Sequence, residues 1–276
     1  MPIWPLLALL LLFLVSPHSI ADNRTIHERL QGPLVAAHQG GIFELRPNTL
    51  EQFRHAINIG VDILEMDLRP TSDGHVVVFH NENLDWVSSC RGPVNKKTLA
   101  EIKKCRLTFS GLSIPSFAEV LEMVNGQVVI NAEFKEDGTV VPAIREVVNH
   151  NALEWVYFQT KADEEVYLAA RALNPQVALL FKAKARVDLD WALSLNDPRL
   201  VVIELEKNMG TPENLADIHA AGKLASSNSW RFAKMKELGS AGCTKVFRRG
   251  IDIAVCNNLQ SCVDQKRKIT GRLAVN

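Results

Sequence analysis

The sequence predicts an α/β protein built as a (β/α)8 barrel with an excursion after the third strand. Three observations support this. From residue 33 onward, short β-branched runs alternate with helix-like segments. Several of those runs are almost unbroken stretches of apolar residues, as expected of parallel strands buried on both faces. The alternation also spans about 250 residues, the usual length of such a barrel.

The candidate strands, in order, are Leu34–Ala37, Val61–Asp67, Val76–His80, Val128–Glu133, Trp155–Gln159, Val177–Phe181, Leu200–Leu205, Lys223–Ser227 and Ile251–Val255. Nine runs stand where eight close a barrel, so one is either no strand or lies outside it. Helical patterns fall between them at Thr49–Ile59, Ser116–Val124, Val140–Asn149, Asp163–Leu173 and Pro212–Ala221. Asn48 or Thr49 supplies a cap for the first and Thr211-Pro212 a start for the last. Residues 81 to 126 form the longest interval between strands, which places the excursion beside the strand ends. A doubly wound open sheet is the competing architecture, but no glycine-rich dinucleotide loop follows the first strand.

The start of the chain reads as a leader. Leu6 to Val15 is a continuous apolar run, too short for a spanning helix of about 20 residues. Ser19-Ile20-Ala21 then offers small residues for cleavage, although no Lys or Arg precedes the run. The expected organisation is therefore a signal peptide at 1–21, with an uncleaved N-terminal anchor as the alternative, and one barrel domain at 22–276, secreted or periplasmic. After residue 21 no apolar segment is long enough to cross a bilayer, so no stable membrane insertion is expected once the leader is removed. Five cysteines suit an oxidising compartment. Cys90–Cys105 is the first expected bridge, followed by one bridge among Cys243, Cys256 and Cys262; none of the spacings is a zinc pattern. Asn23-Arg24-Thr25 is a glycosylation sequon that matters only in a eukaryotic host. Lys and Arg together number 31, as do Asp and Glu, so no net field favours nucleic acid or an anionic surface. Any binding of anions must therefore come from a local site.

Barrel active sites collect at the C-terminal ends of the strands. The first strand runs into His38-Gln39-Gly40-Gly41, the second ends at Glu65-Met66-Asp67, the third at His80 and the fourth at Glu133-Phe134-Lys135. Side chains alternate along a strand, so Glu65 and Asp67 share a face, as do Asn131, Glu133 and Lys135. If that face is the barrel mouth, three anions converge and need compensation, for which Mg²⁺ or Ca²⁺ is the natural candidate. A carboxylate-held cation beside two imidazoles suits phosphodiester cleavage, with Lys135 placed for a phosphate oxygen. Any one of these residues alone is more often structural. His27, His55, His75, His150 and His219 are given that structural role, and His18 leaves with the leader.

These residues also carry a pattern that resembles the glycerophosphodiester phosphodiesterase family. The family reads His-Arg-Gly, Glu-Asn-Thr, Glu-x-Asp, Asp-Gly with Val-Val-x-His-Asp, and Glu-x-Lys. The corresponding text here is His38-Gln39-Gly40, Pro47-Asn48-Thr49, Glu65-Met66-Asp67, Asp73-Gly74 with Val77-Val78-Phe79-His80-Asn81, and Glu133-Phe134-Lys135. Thr98-Leu99-Ala100-Glu101-Ile102 and Ile114-Pro115-Ser116-Phe117 are similar to the family's middle segment, and Gly250 to Val255 to its final strand. The likeness is dense from 33 to 136 and thin afterwards.

The resemblance implies that Glu65, Asp67 and Glu133 hold one Ca²⁺ or Mg²⁺ and that His38 and His80 are the acid and base. It places Lys135 and Gln39 at the substrate phosphate, with Trp230 as an aromatic near the pocket. The implied reaction converts glycerophosphodiesters to glycerol 3-phosphate and an alcohol; the implied partner is a small phosphodiester or a lysolipid. Three departures stand out. Gln39 replaces the family's Arg, so a charged bidentate grip becomes a neutral one that Arg46 or Lys135 could make up. Pro47 replaces Glu, and Asn81 replaces Asp.

Other readings are a phospholipase D-like action on lysolipids or sphingolipids, a barrel that binds phosphodiesters without turnover, and a glycosidase using Glu65 and Glu133. The first calls for an apolar rim, for which Trp86, Val87 and Phe109 are the candidates. The binding barrel has no need of both histidines and all three carboxylates. The glycosidase would not require the histidines.

Overall fold

The computed structural model describes residues 23–42, 46–206, 208–231 and 240–273. The leader expected at 1–21 lies outside them.

Nine strands form one sheet: β1 (Leu34–Ala37), β2 (Ile63–Pro70), β3 (Val76–Val78), β4 (Val129–Phe134), β5 (Val156–Gln159), β6 (Ala178–Ala183), β7 (Leu200–Leu205), β8 (Leu224–Asn228) and β9 (Ile253–Cys256). The spatial order is β1-β9-β8-β7-β6-β5-β4-β2-β3, and a further β1–β2 pairing closes the ring. Every contact around the ring is parallel, so eight strands make a (β/α)8 barrel.

The ninth run is the surplus one. β3 pairs antiparallel with the top of β2, Arg69 opposite Val77, and stands outside the ring. It therefore cannot be a barrel strand ending at His80. Its apolar Val76-Val77-Val78 run looks like a barrel strand in sequence. The five residues 71–75 between β2 and β3 are, however, too few for a parallel crossover, which needs about a dozen.

Alternation along the strands creates two cores. Leu34, Ala36, Ile63, Val129, Tyr157, Leu180, Val202, Ile253 and Val255 fill the barrel, with Ile26 and Leu30 packed against them. The intervening residues, among them Val35, Leu64, Met66, Ile130, Ala132 and Phe158, face outward under the helices. The excursion has its own small core of Val77, Phe79, Leu84, Val94, Ile102, Leu107 and Ile114.

The helices begin where polar caps stand. Thr49 accepts from the Gln52 N–H before helix Leu50–Ile59, Ser116 caps Phe117–Val124, Asp163 caps Glu164–Leu173 and Thr211 caps Pro212–Ala220. Helix Arg186–Ser194 starts from Ala185 without such a cap; instead the Asp188 carboxylate accepts from the Ala185 N–H at 2.9 Å. Its sequence carries no ordinary start signal for that reason. Helices Val140–Asn149, Ser240–Arg248 and Leu259–Leu273 complete the outer ring. Among the described residues no helix is long and apolar enough to cross a membrane.

Two disulfides are present, Cys90–Cys105 within the excursion and Cys243–Cys262 near the end, with Cα separations of 5.5 and 5.6 Å. Cys256, buried on β9, lies outside both.

Candidate active site

The inward face of β2 carries Ile63, Glu65 and Asp67, and that of β4 carries Val129, Asn131 and Glu133. The apolar members, Ile63 and Val129, belong to the barrel core. The register places Asp67 beside Glu133 and Glu65 beside Asn131. Carboxylate oxygens of Glu65, Asp67 and Glu133 all lie within 4.8 Å of one another. The same-face expectation for these residues therefore holds, and they meet in space.

The three anions are unequally compensated. Lys135 Nζ lies 3.2 Å from Asp67 and 3.0 Å from Glu133. Burial works against the Lys135 charge, but the two carboxylates overcome it and its pKa stands raised. Asp67 also accepts from Asn48 Nδ2 at 2.8 Å. Glu65 accepts a hydrogen bond from the Gln39 backbone N–H at 2.7 Å. Complete burial, followed by repulsion from Asp67 and Glu133, pushes the Glu65 carboxyl well above the usual range.

The backbone above Glu65 has to be bent to deliver that N–H. Gln39 adopts φ 52°, and Gly40 and Gly41 follow at 79° and 102°. A Cβ on Gly40 would stand 2.7 Å from the Phe53 ring, so the close approach of helix Leu50–Ile59 requires glycine there. The Asn48 N–H donates to the Gln39 carbonyl at 2.9 Å, which ties this turn to the helix start. Gln39 itself lines a small cavity of about 160 Å³ with Arg46, Asn48 and His80.

His38 stands at the end of β1, directly before this turn. Its Nδ1 is 2.8 Å from Asn257 Oδ1, and the Trp230 ring lies tilted against the imidazole at a centroid distance of 4.8 Å. Burial lowers the His38 pKa, and the Asn257 hydrogen bond and the charges of Asp67 and Glu133 offset this only partly. His80 is exposed at the rim, its Nδ1 3.1 Å from Asn81 Oδ1. It comes from the segment after β3, so three barrel strand ends and one excursion supply the site. Arg69 fixes that segment by donating to the His80 carbonyl from Nε at 3.1 Å and Nη2 at 2.9 Å, while Nη1 binds Glu136 at 2.8 Å.

Several contributors were not singled out from the sequence. Asn257 continues the inward alternation of Ile253 and Val255 one step past β9, and that period was the available signal. Asn48 is legible as a helix-start residue, but its side-chain bond to Asp67 depends on the left-handed φ of 56°. Glu204 on β7 is another buried carboxylate, bonded to Gln159 Nε2 at 3.0 Å; Gln159 Oε1 in turn accepts from Asn131 at 3.3 Å.

Carboxylates alone form the donor set, which suits a hard divalent cation; Lys135 and Lys161 approach Asp67 and Glu133, while among the described residues no ion pair reaches Glu65. A (β/α)8 barrel with an acidic trio and an imidazole at its C-terminal mouth defines the class of phosphodiesterase-like barrels. Residues 38–227 match the model of the glycerophosphoryl diester phosphodiesterase family, and the chain belongs to that family. A glycerophosphodiester phosphodiesterase of Caldanaerobacter subterraneus is 36% identical over 120 residues, which are 41% of this chain and 49% of the relative. The chain spans about half the length of the curated relatives it matches, 49%, 64% and 43% for three of them. The fold is shared with a glycerophosphoryl diester phosphodiesterase from Parabacteroides distasonis at TM-score 0.75 and 17% identity, covering 89% of this chain and 93% of the other. A phosphodiesterase from Oleispira antarctica, solved with the product sn-glycerol-3-phosphate, gives TM-score 0.70 and 22% identity over 85% of this chain and 96% of its own.

Proposed function

We propose that this chain hydrolyses glycerophosphodiesters to glycerol 3-phosphate and an alcohol, in a secreted or periplasmic setting. The observation that carries the reading is the convergence of Glu65, Asp67 and Glu133 within 4.8 Å. The family match and the product-bound relative support it.

In this reading Glu65, Asp67 and Glu133 hold a Ca²⁺ or Mg²⁺. When bound, that cation polarises a phosphoryl oxygen and offsets the charge that develops on it. Lys135 faces the same oxygens, and Gln39 and Arg46 line the cavity beside them.

His38 acts as the base. Burial keeps its pKa below the ordinary value, so the ring is mostly neutral near pH 7. With Nδ1–H donated to Asn257, the Nε2 lone pair accepts the proton of the attacking hydroxyl. That hydroxyl belongs either to the neighbouring glycerol carbon, giving a cyclic phosphate that water then opens, or to water directly. As the new P–O bond forms, the bond to the alcohol breaks, and His80 at the rim supplies the proton the alcohol takes away. Trp230 packs on His38 and limits its rotation.

The test is release of glycerol 3-phosphate from glycerophosphocholine and glycerophosphoethanolamine with Ca²⁺, with Mg²⁺ and with EDTA. Cation-dependent release that Glu65→Ala and His38→Ala both abolish is expected. No release from either substrate or from lysophospholipids, with metal bound, refutes the proposal.

A further inference from the structure

The excursion holds two aromatic side chains that fill no part of its core. Trp86 is 85% exposed and Phe109 fully exposed, the two most exposed large apolar residues among those described. Both have left-handed backbones, φ 68° and 67°. For bulky residues that conformation is unfavourable, and here it does not bury the ring.

Their positions are fixed by the chain around them. The Thr108 N–H donates to the Val87 carbonyl at 3.0 Å, and its hydroxyl donates to the Trp86 carbonyl at 3.2 Å. Leu107 donates to the Leu112 carbonyl at 2.8 Å, closing the turn on which Phe109 stands, and the Cys90–Cys105 disulfide ties the two arms together. Val87 and Leu107, next to the two aromatics, line the same cavity as His80 and Gln39. The aromatic tip is thus a braced projection from the lip of the site.

Its charge is positive on balance. Residues 81 to 114 carry six Lys or Arg against three Asp or Glu in a chain whose totals are equal. Arg91 pairs with Asp85 and Lys103 with Glu119, which leaves Lys96, Lys97, Lys104 and Arg106. Arg91, its side chain 75% exposed, lies 5.7 Å from the centroid of the Trp86 ring.

We propose that this tip docks the barrel mouth on an anionic phospholipid surface, Trp86 and Phe109 entering the headgroup region and the basic residues facing the lipid charge. Two aromatic side chains bury about 300–500 Å² between them. That is well below the ~800 Å² per partner of a stable protein interface, and it favours a lipid surface over a second copy of the chain. Aromatic rings flanked by cations match the amphipathic layer of a bilayer surface. Resting on the hydrolytic reading above, the substrate class follows: phosphodiesters that still carry an acyl chain, presented from that surface.

The test is co-sedimentation of the mature protein with phosphatidylcholine vesicles, with and without phosphatidylglycerol, alongside glycerophosphocholine hydrolysis in free solution. Expected is salt-sensitive binding to the phosphatidylglycerol vesicles, weakened about tenfold in Phe109→Ser and about a hundredfold in Trp86→Ser/Phe109→Ser. Arg91→Glu, which leaves both rings in place, should weaken binding several-fold. Glycerophosphocholine turnover by Phe109→Ser should match the native protein, which also shows that the variant folds. Lysophosphatidylcholine in the same vesicles should be cleaved at least about tenfold more slowly by the double variant. No vesicle binding by the native protein, or equal binding by the double variant, overturns the proposal. So does a concentration-dependent dimer that the double variant abolishes without any lipid. Vesicle binding with no hydrolysis of any substrate would remove the hydrolytic reading and the substrate class while supporting the docking surface.

Discussion

Glu65→Gln should stabilise the metal-free protein and abolish its response to Ca²⁺ or Mg²⁺. Ionised Glu65 faces two other carboxylates within 4.8 Å, and at an effective dielectric near 20 each contact costs at least about 3.5 kcal/mol. The hydrogen bond from Gln39 returns about 1.5–3 kcal/mol of this, and Lys135 screens some of the rest. Burial of the charge, the largest cause, adds to this, so a net penalty of at least ~3 kcal/mol remains when Glu65 is charged. Because the folded pKa of Glu65 is raised, the folded state binds its proton more tightly than the unfolded chain does. This group's contribution is fully present below the unfolded carboxyl value and is lost as pH rises through the folded one. Metal-free native protein should therefore lose stability as pH rises from the ordinary carboxyl range through the raised folded value of Glu65, and Glu65→Gln should not follow it. At the alkaline end the substitution should raise Tm by roughly 6–12 °C, and near pH 5 by little. Gln keeps an acceptor for the Gln39 N–H, so the turn is retained. Thermal melts in EDTA, with and without added Ca²⁺ or Mg²⁺, read both effects. A lower metal-free Tm for Glu65→Gln at alkaline pH, or a metal-induced rise equal to that of the native protein, would refute the account of a charge-deficient trio.

Lys135→Met removes a cation in direct contact with both Asp67 and Glu133. It should tighten Ca²⁺ or Mg²⁺ binding by about tenfold in calorimetry while lowering kcat about a hundredfold, since the same amine faces the substrate phosphate. Asn257→Ala frees the His38 ring and removes the hydrogen bond that raises its pKa. The acid limb of kcat/KM should move to lower pH and kcat should fall by ~10–100-fold, with KM little changed. Cys90→Ser/Cys105→Ser opens a loop of sequence separation 15, a loss of about 3 kcal/mol confined to the excursion. Limited proteolysis should then cut within residues 81–114 while the barrel still melts cooperatively.

The barrel was legible because seven of its eight strands lie between helices as short apolar runs, and the inward carboxylates interrupt those runs at a spacing of two. That spacing placed Glu65 and Asp67 on one face and Glu133 on the next strand without any structure. What the sequence hid was the pairing direction of Val76–Val78, where only the short connection through Ser72-Asp73-Gly74 marks a hairpin. The second ring of the site was less legible for a different reason. Arg69 acts on the His80 carbonyl and Asn48 on Asp67 across separations of 11 and 19 residues. These contacts depend on left-handed turns and on the excursion folding back, neither of which has a periodic signature. Trp86 and Phe109 read in sequence only as candidates for a rim. Their exposure became visible only once Val77, Leu84 and Ile114 were seen to close the excursion core without them.

The opposite wall of the barrel gives an internal control for the metal argument. Glu204 is as buried as Glu65, each 4% exposed, and burial raises the pKa of both. Glu204 nevertheless has Lys182 at 3.3 Å, Arg231 at 3.7 Å and the Gln159 amide at 3.0 Å. Among the described residues no Lys, Arg or His forms an ion pair with Glu65; it has the Gln39 N–H and the charge of Lys135 against the like charges of Asp67 and Glu133. The same fold can evidently balance a buried carboxylate when balance is all that is required, since it does so two strands beyond Gln159. Gln159 and Asn131 join the two walls by hydrogen bonds, so the imbalance is not relieved by rotation of the strands between them. An acidic trio in which Glu65 forms no ion pair among the described residues, unlike Glu204 on the opposite wall, could hold a divalent cation.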